Sequence, residues 1–525
     1  MGAQTPVLIV GGSLNGLASA LLLAHHGVRS TVVERHPGTS IQYKFAGISP
    51  RSMEIFRGLG IEAEIRARRT GDQQGGGVAR GRNLSDPDLQ WMRAAAWPDV
   101  AGLSPTDPAT CDQHVLEPIL RTHAERLGAR TCFNTELTAL EVYEDGIKGT
   151  VRNRASGAME TIDAAYLIAA DGANGTLRER LGIGQEGPGV LQHWMNVIFE
   201  TDLPATLQGK PLTSCFVTDL NGTITTRASG RWLLALPYRP ERGEKPEDFD
   251  AAKCRELVAI GVGRPGVKAD FVDARAWEVA ARLAAQFRRG RAFLVGDAAH
   301  VMPPTGAFGG NTGIHDAHNL AWKLAAVLKG GADPALLDTY DVERRAVARH
   351  TLDQALARFR AWFKDPGVQL PPPVEMVDDY DVVFGQRYRE GALISDDAGA
   401  DGGAAARPFE KARELSARPG TRAPHLWIDR DDRATERVST LDLFGRGFVV
   451  LSGVGGAGWC AAAERIGRVA GLPLACHLLS EWPAASGIGA DGAVVVRPDG
   501  IVAWRSTSGA SDPEQSLRSV FASLL

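Results

Sequence analysis

Two stretches of the chain hold residue types at spacings that do chemistry. The first is Val10-Gly11-Gly12-Ser13-Leu14-Asn15-Gly16, with Glu34 placed 23 residues after Gly11. An apolar run, Val7-Leu8-Ile9-Val10, precedes it, and a helical pattern from about Gly16 to His26 follows. Strand, glycine loop and helix in that order form a phosphate-binding unit. The loop backbone and the helix N-terminus point N–H groups at a pyrophosphate. Gly11 permits the tight turn, and Gly16 permits close packing of helix on strand. Ser13 stands where this loop ordinarily has its middle glycine, and its hydroxyl is a candidate phosphate donor. Leu14 opens the helix. Glu34 ends a second strand, Ser30-Thr31-Val32-Val33-Glu34, where a carboxylate can take ribose hydroxyls. Arg35, beside it, is placed to lie against adenine or its ribose.

The second stretch is residues 291–324. A short strand, Phe293-Leu294-Val295, runs into Gly296-Asp297, then into a loop containing Pro303, Pro304, Thr305, Gly306, Gly309, Gly310 and Asn311. A helix is expected from about Thr312. Asp297 at a strand end can accept from sugar hydroxyls. The glycines let backbone approach a flat ligand. The helix start near Asn311 offers N–H groups to a carbonyl or a developing anion.

Residues 291–324 resemble the signature of the class A flavoprotein monooxygenases, the para-hydroxybenzoate hydroxylase-like family. The resemblance extends to Asp171-Gly172 with Arg178, to Ala46–Glu54, to Asp112–Glu117 with Gln113, and to Tyr340–Arg345. The linker and C-terminal region are similar to the aromatic polyketide hydroxylases of that family. The resemblance implies extended FAD, with adenosine at Gly11–Glu34, pyrophosphate and ribityl near Asp297, and the ring system on Pro303, Pro304, Thr305, Gly306 through Asn311. It implies that Gln113 reaches the flavin nucleotide. NADPH or NADH is the implied transient reductant, and O2 then reacts as a flavin C4a-hydroperoxide that oxygenates an aromatic carbon. Two departures stand out. Lys44 replaces an arginine and lacks its planar fork. Gly310 replaces a methionine, which is expected to open space beside the ring system or to change loop mobility.

These implications give a reading: an FAD- and NAD(P)H-dependent monooxygenase of a polycyclic, polyketide-like aromatic, with no indispensable general base of its own. Baeyer–Villiger or ring-opening oxygenation, and hydroxylation that inactivates an antibiotic, use the same cofactor and remain alternatives. The intact 296–313 segment argues against a non-catalytic flavin- or ligand-binding protein. Trp194, Phe216, Ile224 and Trp232 are the candidate substrate-pocket residues.

The elements that must position these residues follow from the pattern. The expected fold class is α/β with an α+β substrate part. Residues 1–184 and 291–365 read as two parts of a Rossmann-like FAD-binding domain, and 185–290 as a mixed-sheet substrate domain. Residues 366–414, with Pro371–Pro373 and the Gly/Ala run 399–406, read as a linker, and 415–525 as a thioredoxin-like domain implied by the resemblance. A chain of 525 residues has room for several domains. At a formal charge of −4 it carries no broad field for nucleic acid or anionic membrane. A cytoplasmic protein is expected, with a homodimer allowed.

Several patterns are set aside. The six cysteines include no Cys-x-x-Cys and are expected to be reduced thiols, leaving the C-terminal domain redox-inert. Residues 453–458, Gly-Val-Gly-Gly-Ala-Gly, match a dinucleotide loop by letter but lack the supporting unit, and read as an ordinary loop. His300, His315 and His318 lack further ligands at metal spacing, so no metal is expected. Trp322 and Lys323 read as packing and surface.

Overall fold

The structure, a computed structural model, describes residues 3–41, 44–68, 77–93, 99–226, 230–363, 369–396, 409–414, 416–429 and 437–525. Along the chain, β1 (Ala3–Val10), α1 (Leu14–His25) and β2 (Ser30–Val33) open the fold, and α2 (Pro50–Gly58) follows. Next come β3 (Gly77–Gly81), β4 (Gln90–Arg93), α3 (Gln113–Arg126), β5 (Arg130–Cys132), β6 (Thr135–Val142), β7 (Ile147–Asn153) and β8 (Met159–Ala169). Strands β9 (Gln185–Glu200), β10 (Lys210–Val217), β11 (Gly222–Thr226) and β12 (Arg231–Tyr238) precede α4 (Ala251–Val262) and β13 (Asp270–Ala284). Then come β14 (Ala292–Leu294), α5 (Phe308–Leu328) and α6 (Thr339–Trp362).

The first sheet is parallel through β14-β8-β1-β2-β5, with β7 and β6 added antiparallel beyond β8. Val7, Leu8 and Ile9 are wholly buried, and Val32 with them, as a sheet covered on both faces requires. Register decides where function can sit. Val10 lies opposite both Val33 and Ala169, and Ala169 lies opposite Leu294. Gly11, Glu34, Asp171 and Asp297 therefore all leave the sheet at one edge, the carboxyl ends of its strands. In open parallel sheets that edge is where ligands bind.

The second sheet runs β13-β9-β12-β11-β10-β3-β4. It draws β3 and β4 from 77–93, which the sequence reading had kept with the first unit. On β9, Met195, Val197 and Phe199 join a core with Ile224, Trp232, Leu257 and Val258 beneath α4. The alternate residues Trp194, Asn196 and Ile198 lie on the opposite face, because strand side chains alternate.

The C-terminal unit is β15 (Phe448–Ser452), α7 (Ala457–Ala470), β16 (Leu474–Leu478), α8 (Trp482–Ser486), β17 (Ala493–Val496), β18 (Val502–Ser506) and α9 (Pro513–Leu524). Its sheet order is β16-β15-β17-β18, with only the β15–β16 pair parallel. The Gly453–Gly458 loop is built for packing. A Cβ on Gly456 would lie 1.8 Å from Ser452 Oγ, and one on Gly453 would lie 2.4 Å from the Ala490 carbonyl oxygen.

Three sequence expectations are corrected here. Cys460 and Cys476 form a disulfide, because α7 lies against β16 and brings their Cα atoms to 5.1 Å. Spacing along the chain hides a pair made by tertiary packing. Cys111, Cys215 and Cys254 are buried free thiols and Cys132 is half-buried. Next, the described residues of the 366–414 segment do not form a loose tether. Tyr380, Val382, Phe384, Tyr388 and Ala392 are buried, and Ala392 N–H donates to Glu343 at 2.8 Å; the 399–406 run lies outside the described residues. Lastly, Trp322 is packed as expected, but Lys323 is wholly buried and bonds Glu343 at 2.8 Å.

Arg497 of the C-terminal unit also donates to both Glu343 oxygens, at 2.8 and 2.9 Å, with neither side chain exposed. Burial raises the Glu343 carboxyl, but Arg497 and Lys323 outweigh it and hold it down to about 2. A depressed carboxylate contributes stability that is present above its ordinary value of 4.5 and lost as pH falls toward 2. Breaking one partner of such a buried pair costs about 3–5 kcal/mol. Arg497→Ala is therefore expected to lower unfolding stability by that order, and deletion of residues 416–525 to yield insoluble protein; a variant as stable as the parent in urea titration would contradict this. The disulfide has its own check: denatured, unreduced protein should expose four reactive thiols, rising to six after reduction.

Candidate functional site

The first glycine loop is shaped by contact. Gly11 has φ +108°, and a Cβ there would lie 2.2 Å from the Ala170 carbonyl oxygen. A Cβ on Gly16 would lie 1.8 Å from the Gly11 carbonyl oxygen. Only glycine lets α1 begin this close to the strand end. Glu34 accepts from Gly12 N–H at 2.7 Å and from His36 N–H at 2.8 Å, so its carboxylate is fixed beside the loop. Arg35 extends into solvent.

The Ser13 hydroxyl does not face a phosphate position as the sequence suggested. It donates to Glu117 at 2.6 Å and accepts from Gln113 Nε2 at 2.9 Å. Gln113 also donates to Glu117 at 2.6 Å, and Glu117 accepts from Ser40 N–H at 2.6 Å. Glu117 is wholly buried and was missed. The available signal was its place four residues after Gln113 on α3, which puts both on one helix face. Ser13 leaves α1 without a side-chain cap, so the first-turn N–H groups remain for an anion. Leu14 is buried beneath them.

At the second stretch, Gly296 and Gly313 close on one side chain. A Cβ on either would lie within 2.3 Å of Asn15 Nδ2. Asp316 on α5 accepts from Gly296 N–H at 3.1 Å, from His300 Nε2 at 2.7 Å and from Arg344 Nε at 2.8 Å. This explains His300 without metal, and among the described residues no metal-ligand group occurs. Asp297 is exposed to solvent yet walled by protein, lining a cleft of about 310 Å3, part of it open, with Asp171, Gly172, Arg178, Gln185 and His300. Burial pushes its carboxyl up, and His300 and Lys44 partly oppose this.

α5 starts at Phe308, four residues earlier than expected. Ala307, at φ +55°, supplies no side-chain cap, so the amides of Gly309 and Gly310 are open to a ligand. Asn311 is a structural clamp: its Oδ1 accepts from Ser49 N–H at 2.9 Å and Ser52 Oγ at 2.7 Å, and its Nδ2 donates to Gly47 and Ala307 carbonyls. In the Pro303–Gly306 run, Pro304 is exposed, whereas Pro303 and Thr305 are buried; Thr305 Oγ1 donates to the Ala355 carbonyl at 2.7 Å. The space expected beside Gly310 is taken. A Cβ there would lie 2.5 Å from the Phe45 ring.

Trp194 and Phe216 lie on the face of the second sheet away from α4, Trp194 buried and Phe216 half-buried. Trp194 packs with Trp277 at 6.0 Å and Phe363 at 5.8 Å, and Phe216 with Trp362 at 5.2 Å. Ile224 and Trp232 belong to the core under α4, so the sequence placed them on the wrong face. Trp277 and Asn196 were missed: Trp277 Nε1 donates to Asn196 Oδ1 at 2.8 Å.

The residues at the strand ends fit an extended dinucleotide. Asn15 Oδ1, Asp171 Oδ1 and His300 Nδ1 are buried with no hydrogen-bond partner, an unmet demand at the edge where hydroxyl-bearing ligands would bind. Comparison with known proteins names that ligand. Residues 4–355 match the FAD binding domain family, and 416–525 match the aromatic-ring hydroxylase C-terminal family. The chain belongs to the FAD-dependent aromatic-ring hydroxylases. It is 39% identical to a tetracenomycin A2 monooxygenase-dioxygenase of Streptomyces glaucescens, over 99% of this chain and 97% of that one. It is 38% identical to a 4-methyl-5-nitrocatechol 5-monooxygenase of a Burkholderia species, over 99% of this chain and 98% of that one. It superposes on the crystal structure of an aklavinone-11 hydroxylase complexed with FAD and aklavinone with a TM-score of 0.92, at 35% identity, covering 100% and 99% of the two chains. The protein is an FAD-dependent monooxygenase.

Removing a charge-assisted hydrogen bond costs about 1.5–3 kcal/mol, about tenfold or more in affinity. Glu34→Ala and Asp297→Ala should each weaken FAD binding by that factor when flavin is titrated into apoprotein. Unchanged binding in both would overturn the placement. Gly310→Met should displace Phe45 and weaken FAD binding.

Proposed function

We propose that the protein hydroxylates a polycyclic, polyketide-like phenol, with NADPH or NADH as reductant and O2 as oxygen source. The reading is supported chiefly by the aromatic cluster where Trp362 and Phe363, at the end of α6, pack on Trp194, Trp277 and Phe216 of the second sheet, on its face away from α4. The names of the tetracenomycin and aklavinone relatives support it further. Bound FAD supplies the redox chemistry, taking a hydride and activating O2. The chain's own residues bind and orient. Glu34, the α1 N-terminus and Asp297 would hold the nucleotide, and the Gly309–Gly310 amides the ring carbonyls. Trp194 and Phe216 would stack a flat substrate and keep water out. Asn196, its Oδ1 committed to Trp277, has its amide N–H groups left for a substrate oxygen.

The division into 1–184 with 291–365, 185–290 and 415–525 is part of this proposal. The β-α-β-α-β-β-α order of the C-terminal unit supports its thioredoxin-like reading. No described helix is long and apolar enough to cross a membrane, and we place the enzyme in the cytoplasm.

The nitrocatechol relative favours a second reading, a single-ring substrate. Incubation with NADPH, O2 and either an anthracyclinone or a nitrocatechol separates the two: the polycyclic compound should gain one oxygen by mass spectrometry and the nitrocatechol none. The reverse result would overturn the proposal. Trp194→Ala should raise KM for the polycyclic substrate about two- to tenfold, the range of an aromatic contact, with FAD content unchanged.

A further inference from the structure

A second cavity, of about 410 Å3 with part open to solvent, lies where α2, α5 and α6 meet the C-terminal unit. It shares no lining residue with the Asp297 cleft. Arg51, Arg344 and Arg422 project along its walls, with Asn319, Gln386 and Asp499.

The charges around it form one connected cluster. Arg51 and Arg422 share Glu54, and Arg344 holds Asp316. Lys323 and Arg497 share Glu343, and Arg497 also holds Asp499. Burial lowers the Lys323 ammonium to about 8, so below that pH five cations, four of them arginines, meet four carboxylates. The most exposed of the nine side chains, Arg51, is 12% accessible, so solvent does little to screen the cluster. His315 and His318 also line the cavity. Burial first, then the neighbouring arginines, keep both rings neutral, His318 at about 3. One positive charge is left over, and a buried unpaired charge is costly.

Asn319 adds an independent mark. It is 1% exposed, and its amide nitrogen donates to Glu343 and Asp499. Two acceptors on that side fix the orientation of the amide. Its oxygen, Oδ1, is buried and accepts from nothing. It requires a donor, which a water hydrating a bound ion supplies. Arg422 commits Nε and Nη2 to Glu54 and the Leu103 carbonyl, which leaves Nη1 over.

We propose that this cavity binds a small monovalent anion of the halide class, with a water between it and Asn319. The anion balances the cluster and joins the FAD-binding body to the C-terminal unit, since Arg422 and Asp499 come from one side and Arg51, Arg344 and Asn319 from the other.

Two experiments on the full FAD-loaded protein test this. Crystals soaked in sodium bromide should show an anomalous bromide peak between Arg422 and Arg51; bromide found only at the surface would overturn the proposal. In solution, the melting temperature should rise with chloride concentration when ionic strength is held constant with gluconate, which equalises general screening. An equal melting temperature in both salts would overturn it. Gln386→Glu places a carboxylate in the cavity wall and should abolish the chloride dependence, whereas retention of the full dependence would remove the cavity as its source. If Gln386→Glu does not fold, the bromide map decides.

Discussion

The Asp316 carboxylate holds the second half of the site together. It is wholly buried and accepts from the Gly296 backbone, the His300 ring and the Arg344 guanidinium, two groups on the strand-end loop and one on α6. Burial works against its charge, but His300 and Arg344 outweigh burial and hold it ionised. Through Gly296 it fixes the turn that aims Asp297 into the cleft. Through Arg344 it fixes α6 against α5, and α5 begins at the loop where the ring system would rest. A neutral residue at 316 would leave a buried guanidinium without its counter-charge, and the turn, both helices and the loop would lose their common reference.

Steric exclusion complements this electrostatic centre. Gly11, Gly16, Gly296 and Gly313 each stand where a single Cβ would overlap a neighbour. The nucleotide edge is thus defined by what cannot be added to it. Asn15 is gripped between two of these glycines, which ties the first phosphate loop to the second stretch although they lie some 280 residues apart in sequence.

Much of this was legible in sequence, and the boundary is physical. The strand-end residues Gly11, Glu34 and Asp297 were readable because local order, strand then loop then helix, dictates what such residues face. Trp194 and Phe216 could not be told apart from Ile224 and Trp232, since all four lie in apolar strands and only register assigns the face. Glu117 and Asp316 escaped notice because a buried carboxylate looks like any surface acid until its donors arrive from distant segments. The Cys460–Cys476 pair and the packing of Tyr388 against the body are likewise products of tertiary approach. Ser13 and Gly310 were misread for a related reason: the hydroxyl found Glu117 first, and the gap found Phe45.

Strand β9 connects the Asp297 cleft with the aromatic cluster proposed for substrate. Gln185 at its start lines the Asp297 cleft, and Trp194 and Asn196 near its end belong to that cluster. Irregularities between Glu186 and Gly189 and between Val190 and Gln192 set the pleat for the stretch that follows. From Gln192 to Ile198 the pairing with β13 is regular. Adding or removing one residue there would exchange the two faces, turning Trp194 and Asn196 into the α4 core and Met195 and Val197 onto the face proposed for substrate. Side chains along β9 can therefore be exchanged one at a time without disturbing its pairing, whereas length changes must be confined to its loops.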